Sequence, residues 1–208
     1  MTRAEAMPLK VLFFGDSITK GQGVTADQRW TALVAAHSHG AFVEVNEGKP
    51  GRPAAAVGEF SKMLEEYPAN SGISVLVIAL GTNDSRDTSP NCVRKTAAYL
   101  SKMVTMARTR EPGWKIVICA PYNINKDALK KSRSIGPIRE RNLIGMGKAF
   151  KELASREGCG FIDFYGVIPP ASLTVDGVHP DAAGHAAIAA FAQPALDGVV
   201  AALKKNPS

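Results

Sequence analysis

With 208 residues, 45% of them hydrophobic and 21% charged, the chain can build one domain with a substantial core and is too apolar to stay disordered. Its three cysteines are odd in number and widely spaced, with no CxxC or metal-ligand pattern beside a histidine, which argues against a disulfide framework or a zinc site. The net charge of +6 is uneven, because residues 94–152 hold fourteen lysines and arginines against four acidic residues; lacking aromatic interleaving or a nucleic-acid motif, that block reads as a solvated face, and no nucleic-acid partner is expected.

The first apolar run, residues 10–15, ends in glycine and predicts a strand buried on both faces. Residues 27–37 place Trp30, Leu33, Val34 and His37 at helical spacing, and residues 41–45 return to a strand pattern. After a loop over 46–53, Val57, Phe60, Met63 and Leu64 mark one face of a helix over 54–67, stopped by Pro68. Residues 74–80 form the clearest central strand, followed by an amphipathic helix over 93–110, a strand over 115–120, a helix over 138–157, a short strand over 160–164 and an alanine-rich helix over 180–204.

Strands alternating with helices at this rhythm predict an α/β fold: a three-layer α/β/α sandwich around a five-stranded parallel sheet, in a single domain with flexible tails at 1–8 and 204–208. No run approaches the ~18 continuous apolar residues of a membrane helix, so no integral membrane segment is expected. The chain as it stands is expected to be cytoplasmic, or secreted or periplasmic if a leader has been removed. Ligands of parallel sheets bind beyond the carboxyl ends of the strands, so the loops there are the place to look for chemistry.

The first of those loops reads Gly15-Asp16-Ser17-Ile18-Thr19 and sets a serine at the end of the first strand. By itself Ser17 has an ordinary explanation as a helix cap or turn hydroxyl. The last loop, Asp176-Gly177-Val178-His179-Pro180, holds an acid and an imidazole three residues apart, so that one turn can join them. A carboxylate on one ring nitrogen fixes the tautomer and leaves the other nitrogen free to take a serine proton. Alone, that pair is equally a metal fragment or a capped turn. Acyl transfer further requires donors for the oxygen that becomes negative. Asn83, in Gly81-Thr82-Asn83-Asp84, offers side-chain N–H groups, and Gly48 or Gly51, in Asn46-Glu47-Gly48-Lys49-Pro50-Gly51, offers a backbone N–H.

These four blocks, in this order and each at a strand end, resemble the GDSL, or SGNH, hydrolase family: Gly-Asp-Ser at 15–17, a glycine in the second block, Gly-x-Asn-Asp at 81–84 and Asp-x-x-His at 176–179. The Asn-Glu-Gly-x-x-Gly-Arg run through Arg52 is similar to the arylesterase and acyltransferase branch. The resemblance implies a flavodoxin-like fold, Ser17 as nucleophile, His179 as base, Asp176 as its orienter, and an oxyanion hole from Ser17, Gly51 and Asn83. Gly51 is preferred to Gly48 because the family glycine follows the block's asparagine by five positions, as Gly51 follows Asn46. Asp16, Asp84, Tyr122 and Asn123 are expected to contact substrate, the last two in the long stretch 121–137 that also carries Lys130, Lys131 and Arg133.

The implied reaction is ester hydrolysis through an acyl-enzyme, with no cofactor or metal. The expected partner is a small-molecule ester, short-acyl esters such as O-acetylated carbohydrate ranking ahead of lysophospholipid or thioester. Two rivals stand beside it: a non-catalytic binding module on the same fold, and a dinucleotide site suggested weakly by Gly21-x-Gly23-x-x-Ala26, whose glycines lie too far past the strand. His37, His39 and His185 lack an adjacent acid in the same turn and are expected to be solvated or packed.

Overall fold

Alternate residues of the first strand are all large and apolar, and a strand directs successive side chains to opposite faces, so both faces of that strand must be covered. The computed structural model, which describes residues 9–130, 133–173 and 175–205, shows how this is met. Strand β1 (Leu9–Gly15) lies between β2 (Phe42–Gly48) and β3 (Ile73–Ala79), and β4 (Lys115–Cys119) and β5 (Gly160–Ile162) extend the sheet beyond β3. All four pairings are parallel and the strand order is β2-β1-β3-β4-β5.

Leu12 and Phe14 of β1, with Leu76 and Ile78 of β3, pack beneath α3 (Val57–Glu66), α4 (Cys92–Arg110) and α5 (Gly136–Arg156). Val11, Phe13, Val75 and Val77 face the other way, against α2 (Trp30–His37) and α6 (Ala182–Lys205). The two layers are anchored by aromatic edges: Phe14 meets Phe60 at 5.0 Å between ring centroids, and Phe13 meets Trp30 at 5.2 Å. Each such buried ring is worth about 3 kcal/mol of burial, with an increment for edge-to-face geometry.

Several boundaries differ from expectation. Helix α2 begins at Trp30 rather than residue 27, because residues 25–28 close a turn through Gln28 N–H on the Thr25 carbonyl. Strand β2 runs on to Gly48, where Gly15 and Gly48 still pair, so part of the expected loop is sheet. The close approach there requires glycine: a Cβ on Gly48 would stand 2.3 Å from the Lys20 nitrogen. The short helix α1 (Ser17–Lys20) was not legible as an element.

Helix α6 has a stretch of mean hydropathy 1.6, long and apolar enough by composition to cross a membrane although polar residues and glycines interrupt it. Its alanines produce that value, while one stripe, including Ile188, Ala192, Leu196 and Val200, packs on the sheet layer. The helix continues through Lys205, so residues 204 and 205 belong to it.

His185 of α6 is fully buried and its Nδ1 accepts the Trp30 backbone N–H at 3.2 Å, pinning the start of α2. Burial pushes the imidazole down to about 4 against the opposing pull of Asp181. The unfolded chain takes up this proton near 6.5, so acidification from 6.5 toward 4 favours unfolding, by up to about 3 kcal/mol in all. His185→Gln, which retains an acceptor, is expected to remove that acid-dependent share. Urea unfolding of both proteins at several pH values checks this: the stability difference should shift in the variant's favour as the pH falls through that window, and a pH-independent difference would refute it.

Candidate active site

Because every strand is parallel, all the carboxyl-terminal loops gather at one edge of the sheet. The chain turns back between β1 and β3, leaving a crevice at their carboxyl ends where ligands of such sheets bind. Gly15 ends β1 with no room for a side chain, since a Cβ would meet Thr19 Oγ1 at 2.0 Å. Asp16 caps α1 by accepting the Ile18 N–H at 2.9 Å, and Ser17 opens the single turn with its N–H lacking an intrahelical acceptor.

The loop before α6 delivers the acid and the imidazole. Asp176 Oδ1 accepts the backbone N–H groups of Val178 and His179, both at 2.9 Å, and its Oδ2 lies 2.6 Å from His179 Nδ1. His179 Nε2 lies 2.8 Å from Ser17 Oγ. With Asp176 holding a proton on Nδ1, Nε2 is the acceptor for the serine O–H. Burial pushes the Asp176 carboxyl up, but the hydrogen bonds from His179 and Val178 outweigh it and leave the carboxyl below its ordinary value. Gly177, at φ +78°, lets the stretch after β4 press against this loop: its carbonyl accepts the Asn125 N–H at 2.9 Å, and a Cβ would stand 2.5 Å from the Asn125 carbonyl oxygen.

Two further loops are bonded to the end of β1 and to each other, through Lys49 N–H on the Gly15 carbonyl and Asn83 on Arg52. Lys49-Pro50-Gly51-Arg52 closes a turn through Arg52 N–H on the Lys49 carbonyl, with Gly51 at φ +77° as a type II turn demands. Gly48 is a poorer source of a free donor, because its N–H is given to Asn46 Oδ1 at 3.0 Å. Asn83 donates one amide hydrogen to the Arg52 carbonyl at 3.3 Å, which fixes the side chain and leaves the second hydrogen for another acceptor.

Of the four residues expected to touch substrate, Asp16 and Tyr122 are buried in the frame, while Asp84 and Asn123 are half-buried and hydrogen-bonded to neighbouring loops. Asp16 is 1% exposed, and burial, opposed by the Ile18 N–H, pushes its carboxyl up to about 6. Both carboxylate oxygens of Asp84 accept the Ala54 N–H, tying the β3 loop to the β2 loop. Tyr122 is 1% exposed and stacked 4.9 Å from Phe164 in the layer under α2 and α6. Asn123 bonds the Ile168 carbonyl and the Gly166 and Ile168 N–H groups, bracing the segment after β5.

Of the remaining expectations, His37 and His39 are exposed and distant in role, and Gly21 ends α1 in a left-handed conformation, so the Gly-x-Gly run follows a helix instead of opening one. Lys131 lies outside the described residues. Among the described residues no three His, Cys, Asp or Glu side chains converge as a metal-ligand group.

Arg52 and Arg139 were not foreseen as site residues. Arg52, 7% exposed, gives hydrogen bonds to the carbonyls of Gly15 and Glu47, pairs with Glu59 at 3.1 Å and lies 4.0 Å over the Phe14 ring. It thereby ties the ends of β1 and β2 to α3. Arg139, 1% exposed on α5, donates through Nε to Ser85 Oγ and through Nη2 to the Thr82 carbonyl, while Asn142, one turn on, donates to the carbonyls of Ser85 and Asp87. Together they hold the loop that carries Asn83. A signal existed for Arg139: it stands at helical spacing with Leu143, Met146 and Phe150, on what is otherwise an apolar face.

The model of the GDSL-like lipase/acylhydrolase family matches residues 13–187 of the chain. Among solved structures, a carbohydrate acetylesterase family member from Sinorhizobium meliloti superposes with a TM-score of 0.76 at 20% identity, covering 93% of this chain and 99% of that one. The native aryl esterase of M. smegmatis gives 0.76 at 22% identity over 94% and 99%. A G-D-S-L lipolytic protein from Veillonella parvula DSM 2008 gives 0.69 at 20% over 89% and 97%. At these identities the likeness establishes the shared fold. No curated protein sequence matches the chain.

The Arg52 interactions set an expectation for stability. Its bonds to buried carbonyls are charge-assisted, whereas its partner Glu59 is 40% exposed at the side chain. Arg52→Met is expected to cost about 2–3 kcal/mol by removing charge-assisted bonds to two carbonyls, of which Gly15 keeps the Lys49 N–H, while Glu59→Gln costs under about 1 kcal/mol. Equal losses in urea unfolding would show that the surface pair, not the carbonyl bonds, carries the effect.

Proposed function

The chain belongs to the GDSL-like lipase/acylhydrolase family and is an ester hydrolase, and from that premise we propose that it cleaves short-acyl esters, such as O-acetyl groups on carbohydrates or small molecules, through an acyl-enzyme on Ser17. The observation that carries this reading is the unbroken hydrogen-bonded chain from Asp176 through His179 to Ser17, with contacts of 2.6 Å and 2.8 Å.

In the first step His179 Nε2 takes the Ser17 proton as Oγ bonds to the ester carbonyl carbon, and the carbonyl oxygen becomes an oxyanion. The Ser17 N–H, the Gly51 N–H and the spare amide hydrogen of Asn83 are the donors for it. Collapse expels the alcohol oxygen, which takes the proton from His179, and leaves the acyl group on Ser17. Water then gives its proton to His179 and its oxygen to the acyl carbon, the bond to Ser17 Oγ breaks as Oγ takes the proton back from His179, and the carboxylic acid leaves. Asp176 stays ionised throughout and stabilises the imidazolium.

Two features favour a small acyl group. The cleft beside the triad, about 280 Å³, is lined by polar and charged side chains apart from Val178, so it offers no apolar track for a long acyl chain. Two of the structurally similar proteins are described as acting on acetylated carbohydrate and aryl esters.

Ser17→Ala is expected to lower turnover of p-nitrophenyl acetate by ~10⁴–10⁶-fold without unfolding the protein. Retained turnover would end the proposal, and failure of the native protein to react with a fluorophosphonate probe would favour a non-catalytic binding module. Turnover is also expected to decline from p-nitrophenyl acetate to the octanoate, and the reverse order would point to a lipid substrate. Asn83→Ala is expected to reduce kcat by ~10²–10³, about 3 kcal/mol; a change confined to KM would make Asn83 a substrate contact instead of an oxyanion donor.

A further inference from the structure

The basic block 94–152 is mostly solvated, but Arg139 is not, and its surroundings are unusual. It forms part of the cleft beside the triad together with Arg86, Lys130, Gln22 and the catalytic pair Asp176 and His179. Three cations therefore share a cleft of about 280 Å³ with a single carboxylate, and that carboxylate is committed to His179. Among the described residues, none of the three cations has an acidic partner within 4.0 Å, although Lys49, Arg52, Lys95, Arg108, Lys126 and Arg156 all do.

Like charges held together without counter-charge cost free energy, and a buried guanidinium costs more. Burial pushes Arg139 down to about 10, with Arg86 adding to the effect and Asp176 opposing it, so it remains charged at neutral pH. Two of its nitrogens are spent on Ser85 and Thr82, and Nη1 has no hydrogen-bond partner among the described residues. Arg86 and Lys130 are exposed and converge on the same cleft from the loops after β3 and β4. An arrangement that is unfavourable when empty becomes favourable when an anion enters it.

The direction of the chemistry decides which part of a substrate would carry that anion. His179 must hand its proton to the leaving oxygen, so the alcohol part of the ester lies on the His179 side of Ser17. The Asn83 and Gly51 donors claim the carbonyl oxygen. We propose that the cleft formed by Arg86, Lys130 and Arg139 is a subsite for a carboxylate on the alcohol part of the ester, so that the preferred substrates are O-acyl derivatives of hydroxy acids or acidic sugars. This rests on the esterase reading above and narrows it.

The test compares 3- and 4-acetoxybenzoate with their neutral isosteres, 3- and 4-acetoxybenzamide. At low ionic strength, kcat/KM for at least one benzoate is expected to exceed that of its amide by about tenfold, the worth of one charge-assisted contact. The ratio is expected to fall toward one at about 0.5 M salt, as screening weakens the attraction. It should fall likewise in the Arg86→Gln/Lys130→Gln variant, whose substitutions are at exposed positions and spare the core. Equal kcat/KM for acid and amide at both ring positions, or a preference that survives in the double variant, overturns the subsite while Ser17-dependent hydrolysis of the amides leaves the esterase reading standing. A protein that hydrolyses none of the four esters overturns both.

Discussion

The structure depends on one contact, the 2.8 Å approach of His179 Nε2 to Ser17 Oγ, between residues separated by 162 positions in the chain. Nothing local brings them together. The sheet does, because five parallel strands place every outgoing loop at the same edge, and α6 returns across the layer to set the last loop over the first. The entropy of closing so long a loop is met by the core on both faces of β1 and β3 and not by the triad itself. Fine placement then falls to short-range devices: the cap at Asp16, the turn at Asp176 and the glycine at 177, which lets the neighbouring loop brace the imidazole.

Charged side chains hold the rim where an apolar core cannot reach. Loops at a sheet edge carry carbonyls with no strand partner, and a guanidinium can satisfy several at once with fixed geometry. Arg52 does so for Gly15 and Glu47, and Arg139 and Asn142 do so for the loop from Thr82 to Asp87. The loops that carry Gly51 and Asn83 are thus held in place by Arg52, paired with α3, and by Arg139 and Asn142 of α5. Among the described residues the buried guanidinium at 139 has no carboxylate within salt-bridge distance, which places positive charge in the cleft shared with His179, a costly position for a scaffold alone.

The predicted helices and strands were found, with edges moved by up to a few residues. Hydrophobic period identifies an element well, but its ends depend on tertiary bonds: β2 is longer than its apolar run because Gly48 pairs with Gly15, and α2 is shorter because a turn occupies residues 25–28. The expected roles of Asp16, Asp84, Tyr122 and Asn123 rested on nearness in sequence to reactive residues. Nearness does not fix direction: Asp16 and Tyr122 are buried in the frame, and Asp84 and Asn123 are hydrogen-bonded to it.

Residue order alone determined the alternating fold and the four blocks that contain serine, glycine, asparagine and the acid–imidazole pair, because periodicity and motif spacing are properties of the chain itself. Only the tertiary structure decided which of two glycines, among the described residues, keeps its N–H free, which arginines are buried, and that three cations converge beside His179 with Asp176 as the one carboxylate in the cleft. Those facts belong to pairs and triples of residues from separate loops, and a one-dimensional pattern does not record which loops meet.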